Sequence, residues 1–82
     1  MKYIIENYIN KLSVNDIKNY FISNNYNVKD KDIYTIYRYI KLYWKDIYNK
    51  DISSLNKIKK EVDYSTYNLI IDLYNKYKDY LN

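Results

Sequence analysis

The side chains in this sequence that could do chemistry are mostly tyrosines and lysines, and the usual catalytic residues are missing. The 82-residue chain has no His, which removes the commonest general base and a common metal ligand. It has no Cys and no Gly, which removes thiolate metal sites and glycine-rich phosphate loops. A Ser or Thr nucleophile would have only a lysine or a carboxylate as its base. The sequence therefore predicts a protein that is not an enzyme and uses no cofactor.

The acidic residues do not predict a metal site. The closest pair is Asp30 and Asp32, and the other acids are scattered along the chain. Both fall at the start of a predicted helix, where acids complement the helix dipole. We therefore expect them to cap that helix, and we expect no bound metal.

A basic stripe on the third predicted helix is the main candidate binding site. On a wheel of 100° per residue, one flank of this helix carries four cations, one aromatic ring and no acid: Lys31, Tyr34, Arg38, Lys41 and Lys45. Asp32 and Asp46 fall on the opposite flank. Arg38 is the single Arg of the chain, and its forked guanidinium suits a phosphate or a carboxylate.

This basic flank predicts nucleic-acid binding, with Tyr34 able to stack on an exposed base. Two other interpretations fit the same pattern. It could be the solvated face of a Lys-rich protein, or it could contact an acidic protein surface. The net charge of +4 agrees with all three, because an A+T-rich coding bias would also enrich lysine.

The excess of tyrosine suggests an alternative function. The chain has 14 Tyr and one Phe, although both residues have codons made only of A and T. The hydroxyl group is therefore selected, either to keep half-buried rings in contact with water or to form a contact surface. The second interpretation predicts an adaptor or inhibitor that binds a larger complex, such as one that processes nucleic acid, through a Tyr-rich surface.

Apolar residues recur at helical spacing, and clusters of Asn mark the breaks in a chain without Gly or Pro. The predicted helices cover about 2–11, 14–24, from 30 to between 43 and 48, a short segment with Leu55, Ile58 and Val62, and 66–81. We expect Ser13 to cap the second helix in a capping box with Asp16. Ser53 or Ser54 would cap the fourth, and Asp63 or Ser65 the fifth. Trp44 is expected near the centre of the core.

These elements predict an all-α fold, a compact bundle of four to five short helices in one domain covering residues 1–82. The second and third helices have the order of a helix-turn-helix pair. The N-terminus lacks the unbroken apolar stretch of a signal peptide, and no apolar run approaches the ~20 residues that span a bilayer. We therefore expect a cytoplasmic protein without a membrane partner.

Five segments carry a resemblance to a known family: LSVNDIKNY (12–20), NYNV (25–28), IYTIYRYIK (33–41), LNKIKKEV (55–62) and STYNLIIDLYNKY (65–77). From Leu12 to Leu81 the chain resembles small helical proteins of low-GC Gram-positive bacteria that are classed as a domain of unknown function. In that family a basic residue, Gly, Lys and Asn follow the third helix, whereas Lys41 to Trp44 stand there in this chain. The resemblance implies a compact helical protein with a longer third helix, and it implies no activity.

Overall fold

Helices make up most of the chain. The computed structural model describes residues 2–81. The elements are α1 (Lys2–Lys11), α2 (Val14–Ser23), α3 (Asp30–Tyr48), α4 (Ser53–Ile58) and α5 (Tyr64–Tyr77), followed by a 3₁₀ turn, Lys78–Leu81. No strand occurs within residues 2–81, so the predicted all-α bundle is confirmed. None of the helices in this range is long and apolar enough to span a membrane.

The ends of α2 follow the sequence prediction. Ser13 Oγ accepts a hydrogen bond from the Asp16 backbone N–H at 3.1 Å. The Asp16 carboxylate in turn accepts one from the Ser13 N–H at 2.9 Å, which completes the capping box. At the other end, Asn25 takes a left-handed conformation with a φ of 61°, as expected of Asn in a chain without Gly.

Other helix ends differ from the prediction. α3 ends at Tyr48, and the left-handed residue that follows is Lys50 (φ 66°) rather than an Asn. The N-cap position of α4 is held by Ile52 instead of Ser53 or Ser54, and the preceding Asp51 carboxylate accepts from the Ser53 N–H at 3.0 Å and from its hydroxyl at 2.6 Å. α5 begins at Tyr64, with Asp63 at its N-cap position but without a side-chain cap bond.

The core is formed mainly by α2, α3 and α4. The buried apolar residues are Ile17, Phe21, Ile33, Ile36, Tyr39, Leu55 and Ile58. α1 has no buried residue, and Thr66 is the one buried residue of α5. The first and last helices therefore lie against a core that the three middle helices build.

α3 turns a different face inward than its apolar pattern predicts. With Ile33 at zero on the wheel, the apolar residues of α3 run from Ile36 to Tyr37 and centre near 350°. The buried residues include Asp32, Thr35 and Tyr39, which centre the buried arc near 270°, about 80° away. Each of the three has a hydrogen-bond partner, so burial leaves no polar atom of theirs unpaired. Trp44, on the opposite edge of the arc, is only half-buried and lies outside the core cluster. The prediction that Trp44 sits near the centre is wrong.

The buried carboxylate of Asp32 joins α3 to the start of α5. Its side chain is 0% exposed. One oxygen accepts from the Thr66 hydroxyl at 2.6 Å and from the Asp63 backbone N–H at 3.1 Å, and the other accepts from Lys31 Nζ at 2.8 Å. Asp32 was predicted to cap its own helix. It instead binds the first turn of another helix, 31 residues farther along the chain.

We expect the Asp32→Ala variant to lose about 3 kcal/mol of unfolding free energy. The substitution leaves the Thr66 hydroxyl and the Asp63 N–H buried without an acceptor, and each such loss costs roughly 1–3 kcal/mol. Asp46→Ala, at an exposed position on the same helix, is the control and should change stability by less than about 0.5 kcal/mol. Urea denaturation measures both, and equal effects would contradict a special role for Asp32.

Acid should weaken the same link. Burial by itself raises the pKa of Asp32, but the hydrogen bonds from Lys31, Thr66 and Asp63 outweigh burial and lower this pKa below its ordinary 3.8. The stabilisation is therefore present above that ordinary pKa and is lost as the pH falls through the folded pKa. Unfolding free energies measured from about pH 5 down to pH 2 should fall less steeply in Asp32→Asn than in the wild type. Parallel curves would exclude Asp32 as a source of the acid dependence.

Candidate functional site

The structure uses much of the predicted basic flank for contacts within the protein. Lys31 Nζ lies 2.8 Å from the buried Asp32 carboxylate and 4.0 Å from that of Asp63. The hydrogen bond to Asp32 raises the pKa of Lys31 above its ordinary value. Lys31 is therefore the counter-charge of a buried acid, which the wheel had placed on the opposite flank.

Arg38 is also paired. Its guanidinium lies 3.3 Å from the Glu61 carboxylate, and the Tyr39 hydroxyl donates a hydrogen bond to the second oxygen of that carboxylate. The bond to Glu61 raises the pKa of Tyr39 to about 12 and, in return, lowers the pKa of Glu61. Glu61 follows α4, so a wheel of α3 alone could not show that it faces Arg38.

Lys41 holds the end of α1. Its ammonium group donates to the backbone carbonyls of Ile9 and, at 3.3 Å, Asn10. These carbonyls belong to the last turn of α1, where a cation complements the helix dipole, and the Ile9 carbonyl also accepts from the Leu12 N–H at 3.1 Å. Lys41 therefore stabilises the docking of α1 on α3.

Tyr34 and Lys45 remain open to solvent. The Tyr34 ring is 56% exposed and lies against Tyr37, with 6.3 Å between the ring centroids. Lys45 is exposed, and its ammonium group lies 5.8 Å from the Trp44 ring centroid. Of the five predicted residues, these two alone are without an ion pair or hydrogen bond among residues 2–81. The structure does not gather the four cations into one free surface.

The predicted helix-turn-helix pair also lacks the usual turn. α2 ends at Ser23 and α3 begins at Asp30, so residues 24–29 connect them. This connection of six residues is longer than the three to four residues typical of the motif. The order of the two helices is as predicted, but their connection does not support the comparison.

The structure also contains a site that the sequence did not predict, an apolar cleft lined by residues of all five helices. Its volume is about 390 Å³. Its floor is made of core side chains, among them Phe21, Ile36 and Ile58, which are 4%, 7% and 2% exposed. On the α5 side it is bordered by Ile70 and Leu73, which are only half-buried. Thr66 is the one fully buried residue of α5, and the later side chains of this helix pack against the core while only half-buried.

Exposed tyrosines surround the mouth of this cleft. We call Tyr8, Tyr20 and Tyr77 the tyrosine rim; they line the cleft and are 66%, 38% and 41% exposed. Burial and the neighbouring Tyr77 hydroxyl both raise the pKa of Tyr20. Tyr80, 73% exposed, extends the rim, with its ring centroid 6.0 Å from that of Tyr77. The rim joins helices that are distant in sequence, which is why no single-helix pattern predicted it.

Two charged residues reach the cleft. Asp16 lies at the start of α2, and its carboxylate already accepts the capping-box bond from the Ser13 N–H. Lys78 follows α5, is half-buried, and makes no ion pair with residues 2–81. Among the described residues, the cleft therefore presents one positive charge without an ion pair beside an almost wholly apolar lining.

A second depression, of about 410 Å³, is more open and lies on the Glu61 side of the molecule. It is lined by Tyr39, Asn56, Lys57, Lys60 and Glu61. Two of these lining residues are lysines, and Glu61 lies beside them. Residues 2–81 contain no group of three or more His, Cys, Asp or Glu side chains that could hold a metal ion.

Comparison with known proteins gives no relative from which a function could be inferred. The chain matches no protein-family model, no curated protein and no solved structure. The family resemblance inferred from the sequence stays a prediction.

Lys41→Met should loosen α1 without unfolding the protein. Losing the donor to the last-turn carbonyls should speed amide hydrogen exchange in α1 by about fivefold, equivalent to ~1 kcal/mol. Lys45→Met, one turn along α3, is the matched control and should leave α1 exchange unchanged. If both variants exchange alike, Lys41 does not hold α1 and is free to contact a phosphate.

Proposed function

We propose that this is a non-enzymatic binding protein that recognises another protein through the apolar cleft and the tyrosine rim, acting as an adaptor or inhibitor. The observation that carries the proposal is the cleft itself, which opens to solvent and whose apolar lining includes Ile70 and Leu73, both only half-buried. Apolar surface that stays in contact with water at a concave site is typical of an interaction surface. Filling it with a partner's side chain would remove that surface from water.

The chemistry of the rim and the floor supports a protein partner. A large apolar side chain that becomes fully buried contributes about 1.5–3 kcal/mol, and binding energy concentrates where such anchors enter pockets. Tyrosine rings around the pocket add contact area at a small cost in side-chain entropy and keep a hydroxyl for hydrogen bonds. This use of the rim would also account for the excess of Tyr over Phe.

Nucleic-acid binding is the second candidate, and one observation favours it. The Arg38–Glu61 pair is exposed, with side chains 45% and 43% accessible, and such pairs are worth at most about 1 kcal/mol. Arg38 could therefore exchange Glu61 for a phosphate, with Tyr34 and Lys45 beside it on the same flank. Lys31 and Lys41 could join them only by breaking their contacts within the protein. Binding of a protein partner at the cleft is therefore the stronger proposal.

A pull-down from native cell extract, treated with nuclease, tests the protein-binding proposal. The double variant Tyr8→Ser/Tyr77→Ser should capture about tenfold less partner than the wild type, or still less, since it removes two anchoring rings. Tyr64→Ser is the matched control, because Tyr64 is 74% exposed but does not line the cleft. Equal capture by all three proteins would contradict the proposal, provided that circular dichroism shows each one folded.

The nucleic-acid candidate has its own test. Arg38→Gln/Lys45→Gln should leave partner capture unchanged if the cleft is the binding surface. Binding of the wild type to a labelled DNA or RNA duplex is measured in parallel over a salt series. On DNA, a steep loss of affinity with salt, with a slope that falls by roughly 0.9 for each phosphate contact removed in the variant, would establish the second candidate instead.

A further inference from the structure

We propose that the apolar cleft binds a small amphipathic carboxylic acid, with its apolar chain on the floor and its carboxylate at Lys78. The proposal goes beyond the protein-binding function, since the floor of the cleft and Lys78 suffice to bind the acid, which would compete with a partner's side chain for the same floor.

The size of the cleft fits such a molecule. Its volume of about 390 Å³ is at the lower end of the range of ligand pockets, roughly 300–1,000 Å³. At about 30 Å³ for each water-sized group, the cleft has room for roughly 13 non-hydrogen atoms. A saturated acid of ten carbons has 12. The floor offers such a chain only aliphatic and aromatic side chains.

The charges at the cleft favour an anionic end group. Lys78 is the cation that lines the cleft, and it makes no ion pair with residues 2–81. Asp16 is the acid, and its charge lies at the N-terminus of α2, where the Ser13 N–H and the helix dipole already stabilise it. A carboxylate therefore gains more at Lys78 than an ammonium group gains at Asp16. Tyr20 and Tyr77 also line the cleft, and each carries a hydroxyl that is able to donate a hydrogen bond to a carboxylate.

A second copy of the chain is a poorer occupant. Each chain carries a net charge of +4, so two copies repel each other when their surfaces approach. Lys78 would also lack a counter-charge unless the second copy supplied an acid. A small acid fills the apolar volume and neutralises Lys78 at the same time.

Isothermal titration calorimetry with three ten-carbon probes tests the proposal: decanoate, decanol and decylamine, each below its aggregation concentration. Decanoate should bind at one saturable site, about fivefold tighter than decanol, because one ion pair at a half-buried site contributes on the order of 1 kcal/mol. Decylamine should bind more weakly than decanol. Absence of saturable decanoate binding, or decylamine binding tighter than decanoate, would overturn the proposal.

Two variants locate the ligand. Lys78→Met should weaken decanoate by about fivefold and leave decanol unchanged, whereas Lys60→Met, with the same change in net charge outside the cleft, should affect neither. Leu73→Trp places a larger side chain in the cleft and should abolish binding of all three probes, while circular dichroism shows the helices intact. Decanoate binding to Leu73→Trp as tight as to the wild type would contradict a site in the cleft.

The same titrations separate this proposal from the protein-binding function. If decanoate binds the wild type but the pull-downs recover no partner, the ligand site is supported and only the protein-binding function is rejected. If a partner is captured but decanoate does not bind, the protein-binding function is supported and the ligand site is rejected.

Discussion

The carboxylate of Asp32 is the interaction on which the arrangement of these helices depends. It is wholly buried and binds the first turn of α5 through the Asp63 N–H and the Thr66 hydroxyl. A buried acid is tolerated only when its oxygens have partners, and here Lys31 supplies the counter-charge. This requirement turns the polar edge of α3 inward and fixes where α5 begins. The later turns of α5 pack on the core through half-buried side chains such as Ile70 and Leu73, and these side chains border the cleft.

Local sequence signals predicted the elements well because their causes are local. The capping box at Ser13, the left-handed Asn25 and the long apolar repeat of α3 each depend on residues within a few positions of one another. The orientation of α3 was not predictable in this way. Hydropathy placed Trp44 inward and Asp32 outward, but the partners that make Asp32 tolerable inside lie on α5, more than thirty residues away.

The candidate site shows the same division between local and distant information. The sequence correctly placed four cations on one flank of α3. Three of them contact groups of other elements, namely Asp63, Glu61 and the carbonyls at the end of α1. The cleft takes residues from five helices, so no single segment carries its pattern. The one sequence signal that pointed toward it was compositional, since the excess of Tyr over Phe is used in part at the rim.

The proposed recognition surface of this protein is the cleft rather than the basic flank. Chemical-shift mapping of ¹⁵N-labelled protein, titrated with the partner recovered from nuclease-treated extract, distinguishes the two surfaces. We expect the perturbed amides to cluster around Tyr8, Tyr20, Leu73 and Tyr77. Perturbations confined to Tyr34, Arg38 and Lys45, with the cleft unchanged, would contradict it.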